Sequence, residues 1–397
     1  MSDQHLGNTG EEVHPSHPLS LFSAILLGVI GAAVFIVQPG FVQGLVKYYH
    51  FSEQSAGYVA SVEMWGIALT TLVIAVVVNR FSWRVILAVS IALMACGNFF
   101  SIFTDTPAVF ASWRFVAGIG SGGLISLTFT IIGLTANPDR NFGYLIMAVL
   151  TFGALGLWVM PLALSIVGIP GVLLFFTLFT LLGLPFVRYL PTSGDTHAQV
   201  ETDAVDLPLW QRGMAVTAMF LYFTGQGVVW VYLFLIGVEG GASEQQVANG
   251  LTLSQFLGIA GAFAAVLITI RFGRLTPITF GILGGIIPLF FLIGEMGALV
   301  YGVAVSVYNF AWNMTHPFLL AALASFDRKG TVVTHGVAAQ MLGLAVGPAI
   351  AAYFISPGQF ASVNGLGIGF FALALFFIAV PVLEHRRRIR SGIELSS

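Results

Sequence analysis

About twelve hydrophobic runs, separated by short polar turns, make up most of this 397-residue sequence. They cover Leu19–Val46, Ser55–Val78, Arg84–Phe103, Pro107–Leu134, Gly143–Ile166, Gly171–Val187, Trp210–Val238, Val247–Ile270, Pro277–Gly294, Ala298–Phe326, Val332–Ile355 and Phe360–Leu383. A helix rising 1.5 Å per residue needs roughly 20 residues to cross a hydrocarbon core of ~30 Å, and these runs are of that order. The remainder of the composition agrees. Hydrophobic residues are 57%, charged residues 8% and mean hydropathy is +0.93, whereas a soluble chain carries about 25% charge. The expectation is an all-α membrane protein of twelve transmembrane helices, with the lipid bilayer as its solvent. The first 18 residues contain no Lys or Arg, so no signal-peptide n-region is expected. The single Cys96 excludes an intrachain disulfide and a multi-cysteine metal site.

Basic residues set the orientation. With both termini cytoplasmic, the inner face holds Arg80, Arg84, Arg140, Arg188, Arg212, Arg271, Arg274, Arg328, Lys329, Arg386, Arg387, Arg388 and Arg390. The outer face holds only Lys47, and its loops carry Glu53, Asp105, Glu239, Glu244 and Glu295. This charge is spread too thinly to engage nucleic acid.

The sequence also repeats. Ser52-Glu53-Gln54 and Arg80-Phe81 recur 191 residues later as Ser243-Glu244-Gln245 and Arg271-Phe272. Asp139-Arg140 recurs as Asp327-Arg328, and Leu155-Gly156-Leu157-x-Val159-x-Pro161 as Leu342-Gly343-Leu344-x-Val346-x-Pro348. Matches in this order indicate duplication of a six-helix unit. The expected organisation is a polar tail (1–18), a six-helix bundle (19–188), a cytoplasmic linker (189–209), a second bundle (210–384) and a basic tail (385–397). Parallel repeats place a solute site between the halves, near the midplane.

Two charges fall inside these runs. Glu63 is about eight residues into the second span and Arg114 about seven into the fourth, so both lie roughly 10–12 Å below the same face. A charge at the bilayer centre costs about 2.5–3.5 kcal/mol on insertion scales, and such charges are usually paired. The proton affinity of a buried carboxyl depends strongly on whether a guanidinium stands beside it. The two residues therefore form either a proton-coupling pair, with Arg114 also available to a substrate carboxylate, or a static clamp.

Three segments resemble the major facilitator superfamily, over nearly the whole chain. Asn79-Arg80-Phe81-Ser82-Trp83-Arg84 looks like a degraded form of that family's basic loop between the second and third helices; Arg271-Phe272-Gly273-Arg274 keeps only its basic turn. Arg114-Phe-Val-Ala-Gly118-Ile-Gly120-Ser-Gly122-Gly123 is similar to its fourth-helix Arg-x-x-x-Gly-x-Gly motif. Gly343-x-x-x-Gly347-Pro348 resembles the Gly-x-x-x-Gly-Pro motif of its antiporters, although here the intact copy lies in the eleventh span and Gly156-x-x-x-Met160-Pro161 in the fifth. From the residues themselves, Gly118, Gly122, Gly343 and Gly347 are expected to let helices approach closely, and Pro161 and Pro348 to bend them. Asn79, Arg80, Arg84, Arg271 and Arg274 are expected to fasten the cytoplasmic side.

The resemblance implies a cavity lined by the first, fourth, seventh and tenth helices. In the tenth, Ser306, Asn309, Asn313 and His316 share one helical face, with Trp312 beside them. Tyr222, Gln226 and Trp230 come from the seventh span, and Phe35 and Gln38 from the first. Such a cleft suits a small amphipathic or aromatic organic solute, with an anion admitted by Arg114. His316 either titrates or bonds a neighbouring helix permanently, and His335 is structural. No metal-ligand cluster, nucleophile–base pair or nucleotide loop is present, so neither cofactor nor enzymatic activity is expected. The reading is a monomeric, proton-coupled secondary transporter of the plasma membrane, in a bacterium the inner membrane, working by alternating access and tilted slightly towards efflux. The alternative is a receptor or sensor that keeps the fold without transport.

Overall fold

The computed structural model describes residues 15–194, 204–268 and 273–391. Among them the chain is all helix apart from turns and one isolated bridge. Thirteen α-helices follow in order: α1 (Pro18–Ile36), α2 (Gln38–Tyr48), α3 (Glu53–Val77), α4 (Trp83–Ser101), α5 (Pro107–Gly133), α6 (Pro138–Leu182), α7 (Leu209–Trp230), α8 (Leu233–Glu239), α9 (Glu244–Ile268), α10 (Leu275–Phe291), α11 (Ala298–Ala324), α12 (Thr331–Phe354) and α13 (Ala361–Ser391). Eight of these are long and apolar enough to cross a membrane, or nine if α7 and α8 count as one bent span. Ile166, Val266, Phe280 and Leu299 each expose more than 65% of their surface. Outward-facing large apolar side chains of this kind suit a lipid-facing surface.

Five expected spans differ in detail. The first divides into α1 and α2 around Val37, because Pro39 has no N–H to offer the Phe35 carbonyl. That carbonyl instead accepts a hydrogen bond from the Trp230 indole at 3.1 Å. The seventh breaks at the place where Trp230 sits, with a bend of 44° between α7 and α8. The fifth and sixth form the single element α6, interrupted at Gly168, whose φ of 63° only glycine adopts easily. The Phe152 and Phe179 rings stack at 5.2 Å, whereas 27 residues of straight helix would hold them ~40 Å apart. The chain therefore doubles back at Gly168. Finally, the last helix continues through Ser391 into the expected basic tail, supported by the Glu384–Arg388 pair at 3.1 Å.

Helices preceding residue 194 pack mainly on one another, as do those following residue 204; α3 against α12 and α6 against α9 join the two sets. Part of the expected linker, 195–203, lies outside the described residues, as does Arg271. Beyond it, Val205 and Leu207 donate backbone hydrogen bonds to Ser325 and Phe326. Asp327 then caps α12 through the Thr331 and Val332 N–H groups at 2.9 and 3.1 Å. Burial pushes the Asp327 carboxyl up, but these bonds and the Thr331 hydroxyl outweigh it and hold the group below its ordinary range.

The tightest helix contacts are built on glycine. A methyl group at Gly118 would overlap the Glu63 carbonyl, and one at Gly122 would overlap that of Ile67, so α3 and α5 touch backbone to backbone. Gly343 and Gly347 do the same for α12 against Phe220 and Thr224 of α7. Pro348 lies beside Gly227 in that contact, while Pro161 lies inside the first arm of α6. Gly118→Ala and Gly347→Ala should each lower stability by about 1–3 kcal/mol through overpacking. Gly365→Ala, with open space around it, should leave the melting temperature unchanged or raise it.

Candidate functional site

The α3–α5 glycine contact holds Glu63 and Arg114 face to face. Arg114 Nε donates to Glu63 Oε2 at 3.2 Å and Nη2 donates to Oε1, giving a bidentate pair. The third edge of the guanidinium is taken by Asn98 of α4, whose Oδ1 accepts from Nη1 at 2.5 Å. Phe41 lies over the guanidinium, 5.6 Å from its carbon, within an aromatic cluster with Tyr49, Phe51 and Phe110. Arg114 and Asn98 are fully buried and Glu63 nearly so. The matched depth read from the sequence is thus realised as direct contact. Asn98 gives no sequence signal, since an amide in an apolar run carries no charge to mark it.

A cavity of about 210 Å³ lies between the two sets of helices. Of the expected site residues, Phe35, Trp230, Asn309, Trp312, Asn313 and His316 line it. Phe129, Phe223, Met64, Ile67 and Gln340 also do. Arg114, Gln38, Tyr222, Gln226 and Ser306 are not in its wall in this conformation. Gln226 accepts a hydrogen bond from Tyr308, and Tyr222 packs on Phe223 and Phe371, so both turn into their own helix set. Gln38 and Ser306 are buried, with Nε2 and Oγ respectively making no hydrogen bond.

The polar part of the wall forms two hydrogen-bonded groups. Asn309 Nδ2 donates to the Ser254 carbonyl at 3.0 Å, Asn313 Nδ2 to Asn309 Oδ1 at 2.9 Å, and His316 Nε2 is 2.9 Å from Gln340 Oε1. The next residue of α9, Gln255, is fully buried with both carboxamide atoms unbonded. Asn79 and Arg80 are exposed in the turn after α3; Arg84 Nε donates to the Leu190 carbonyl at 2.7 Å, and Arg274 precedes α10. His335 sits near the start of α12 and does not line this wall.

Hydrogen bonds between the two helix sets gather on the side that carries Lys47. Lys47 pairs with Glu244 at 2.8 Å, and Gln43 donates to the same carboxylate at 3.1 Å. Tyr232 donates to the Glu53 carbonyl at 2.9 Å, and the Gly358 N–H to the Glu53 carboxylate at 3.2 Å. Deeper on that side, Ser61 donates to the Ala345 carbonyl at 2.6 Å. Glu53 and Glu244 are the acidic residues of the duplicated Ser-Glu-Gln motif, each starting a helix and each reaching across to the other set. The cavity is therefore closed towards Lys47, and its wall runs the other way, past Gly28, Phe129 and Leu145.

A model of the Major Facilitator Superfamily matches residues 23–334. The chain belongs to the major facilitator superfamily. Solved structures share this superfamily fold. A D-xylose–proton symporter aligns over 91% of this chain and 96% of its own, with TM-score 0.74 and 19% identity. The E. coli xylose transporter XylE, in an inward open conformation, aligns over 90% and 94%, with 0.70 and 18%. FucP, in an outward conformation, aligns over 92% and 99%, with 0.61 and 15%. At these identities the likeness concerns the fold alone. A search of curated protein sequences finds no match. As a superfamily member the chain is a multi-pass membrane transporter and not an enzyme.

An exposed ion pair contributes about 0.2–1 kcal/mol, enough to bias a balanced two-state transporter. In a Cys96→Ser background, Ser61→Cys should be alkylated about two- to fivefold faster from the Lys47 side when Glu244→Gln is added. Adding Lys47→Gln to that variant should change little more. Equal rates with and without Glu244 would show that the pair does not hold this side closed.

Proposed function

We propose that this superfamily member is a proton-coupled secondary transporter moving a small amphipathic or aromatic organic solute by alternating access. In this reading twelve crossings form two six-helix halves, 19–188 and 210–384, joined by the 189–209 linker. Both termini and the linker face the cytoplasm, and the membrane is the plasma membrane, in a bacterium the inner one. Protons are the coupling ion, and the chain works as a monomer.

The observation that carries the proposal is the placement of Glu63. It directly precedes Met64 and is one turn from Ile67, both in the cavity wall, on the one helix of the first half that packs broadly on α12 of the second. When the halves rock apart on the Lys47 side, α3 leaves α12 and water reaches the Glu63–Arg114–Asn98 group. Protonating Glu63 neutralises the acid while Asn98 still holds the guanidinium. The pair then has two charge states, each matched to one conformation, which is what coupling requires. Cavity access alternates between Lys47 and the opposite face, where Arg84 and Arg274 fasten the loops. An acid reached from outside serves uptake by symport and efflux by antiport alike; the Gly-x-x-x-Gly-Pro element at 343–348 tilts the reading towards efflux.

Counterflow in proteoliposomes tests this. Organic anions, lipophilic cations and uncharged aromatic amides are screened with and without a pH gradient. At least one class should exchange, and a gradient should drive its net movement. A well-folded protein that exchanges none of them would favour the sensor alternative.

A further inference from the structure

We infer that the solute carried in this cavity is uncharged, with an aromatic body and one hydrogen-bonding edge. The inference rests on the transport reading and narrows its substrate class.

The distribution of chemistry around the cavity supports it. None of the described residues in the wall carries a formal charge at neutral pH except by protonation of His316, whose Nε2 is engaged by Gln340. The nearest intramembrane charges, Glu63 and Arg114, are satisfied by each other and by Asn98 and are absent from the wall. An anion entering the site would find carboxamides and aromatic rings but no cation, and an unpaired buried charge is strongly unfavourable. A cation would gain attraction from the faces of Phe35, Trp230 and Trp312, yet this is smaller than the cost of leaving water without a carboxylate partner. The hydrogen-bonding groups Asn309, Asn313, His316 and Gln340 all come from α11 and α12. Aromatic side chains from α1, α5 and α7 occupy other parts of the wall: Phe35, Phe129, Phe223 and Trp230. A neutral planar solute can place its polar edge on the first group and its face on the second. This departs from the anionic solute that Arg114 suggests in the sequence, because the packing of α3 on α5 commits Arg114 to Glu63.

The test uses three molecules of one shape and different charge: benzamide, benzoate and benzamidine. In full-length protein with Cys96→Ser, Ile125→Cys places one thiol in the wall, and its alkylation by N-ethylmaleimide is followed. Benzamide at twice its half-protecting concentration should slow labelling about threefold. Benzoate and benzamidine at that concentration should leave the rate unchanged. Adding Asn313→Asp, or Gln340→Glu if the first variant folds poorly, supplies a carboxylate and should make benzamidine protect. Protection by benzoate or benzamidine in the parent protein, or none by benzamide, overturns the inference. A thiol at 125 that never reacts would instead remove the cavity from the transport path, which is a failure of the transport reading itself.

Discussion

The buried Glu63–Arg114 pair is the interaction around which the first half of the protein is arranged. A charge in hydrocarbon survives only with a partner at hydrogen-bond distance, and the partner here is on another helix. Meeting that requirement needs α3 and α5 in close contact, which is possible because Gly66, Gly118 and Gly122 remove the side chains that would hold the backbones apart. It also commits α4, whose Asn98 closes the remaining edge of the guanidinium. If the pair were only a static clamp, removing one partner would leave an uncompensated charge, at a cost of about 3–5 kcal/mol. Both partners are therefore held in place, and any change in their charge must be matched by a change in their surroundings.

The helix breaks lie where the two sets meet at the cavity. Pro39 divides the first span, and the Phe35 carbonyl it cannot bond is bonded by Trp230, at the break in the seventh. The two discontinuities face each other at the cavity. Above them, the duplicated acidic residues Glu53 and Glu244 each grip the other half, through different partners: backbone N–H and tyrosine in one case, lysine and glutamine in the other. The repeated Ser-Glu-Gln motif thus places a contact at the same position of each set, with different chemistry in the two. In α12 and α7 the glycine contact of α3 and α5 is repeated without any ion pair, so close approach of these helices does not itself need a charge.

Much of this was legible in the sequence, for identifiable reasons. Charges are so rare in the apolar runs that Glu63 and Arg114 stand out, and their equal depth follows from counting residues. The small-residue stripes are likewise visible, whereas Pro39 lies inside a run that reads as one continuous span. What the sequence does not reveal is helix rotation. Tyr222, Gln226 and Trp230 lie on successive turns, yet only Trp230 reaches the cavity, because Tyr308 draws Gln226 inwards. Asn98, Gln255 and Gln340 are neutral amides in apolar runs and look like any tolerated polar residue until their neighbours are known. The fold-back at Gly168 was expected from two separate spans, but the turn itself contains no polar loop to announce it.

The central claim is that Glu63 carries the coupling proton and does more than neutralise Arg114. Glu63→Gln keeps size and hydrogen-bonding capacity while imitating the protonated acid. In proteoliposomes, the account predicts that this variant melts near the wild-type temperature and still exchanges solute, but no longer moves it against a gradient in response to a pH difference. A folded Glu63→Gln protein that still drives solute uphill with the pH gradient would contradict it.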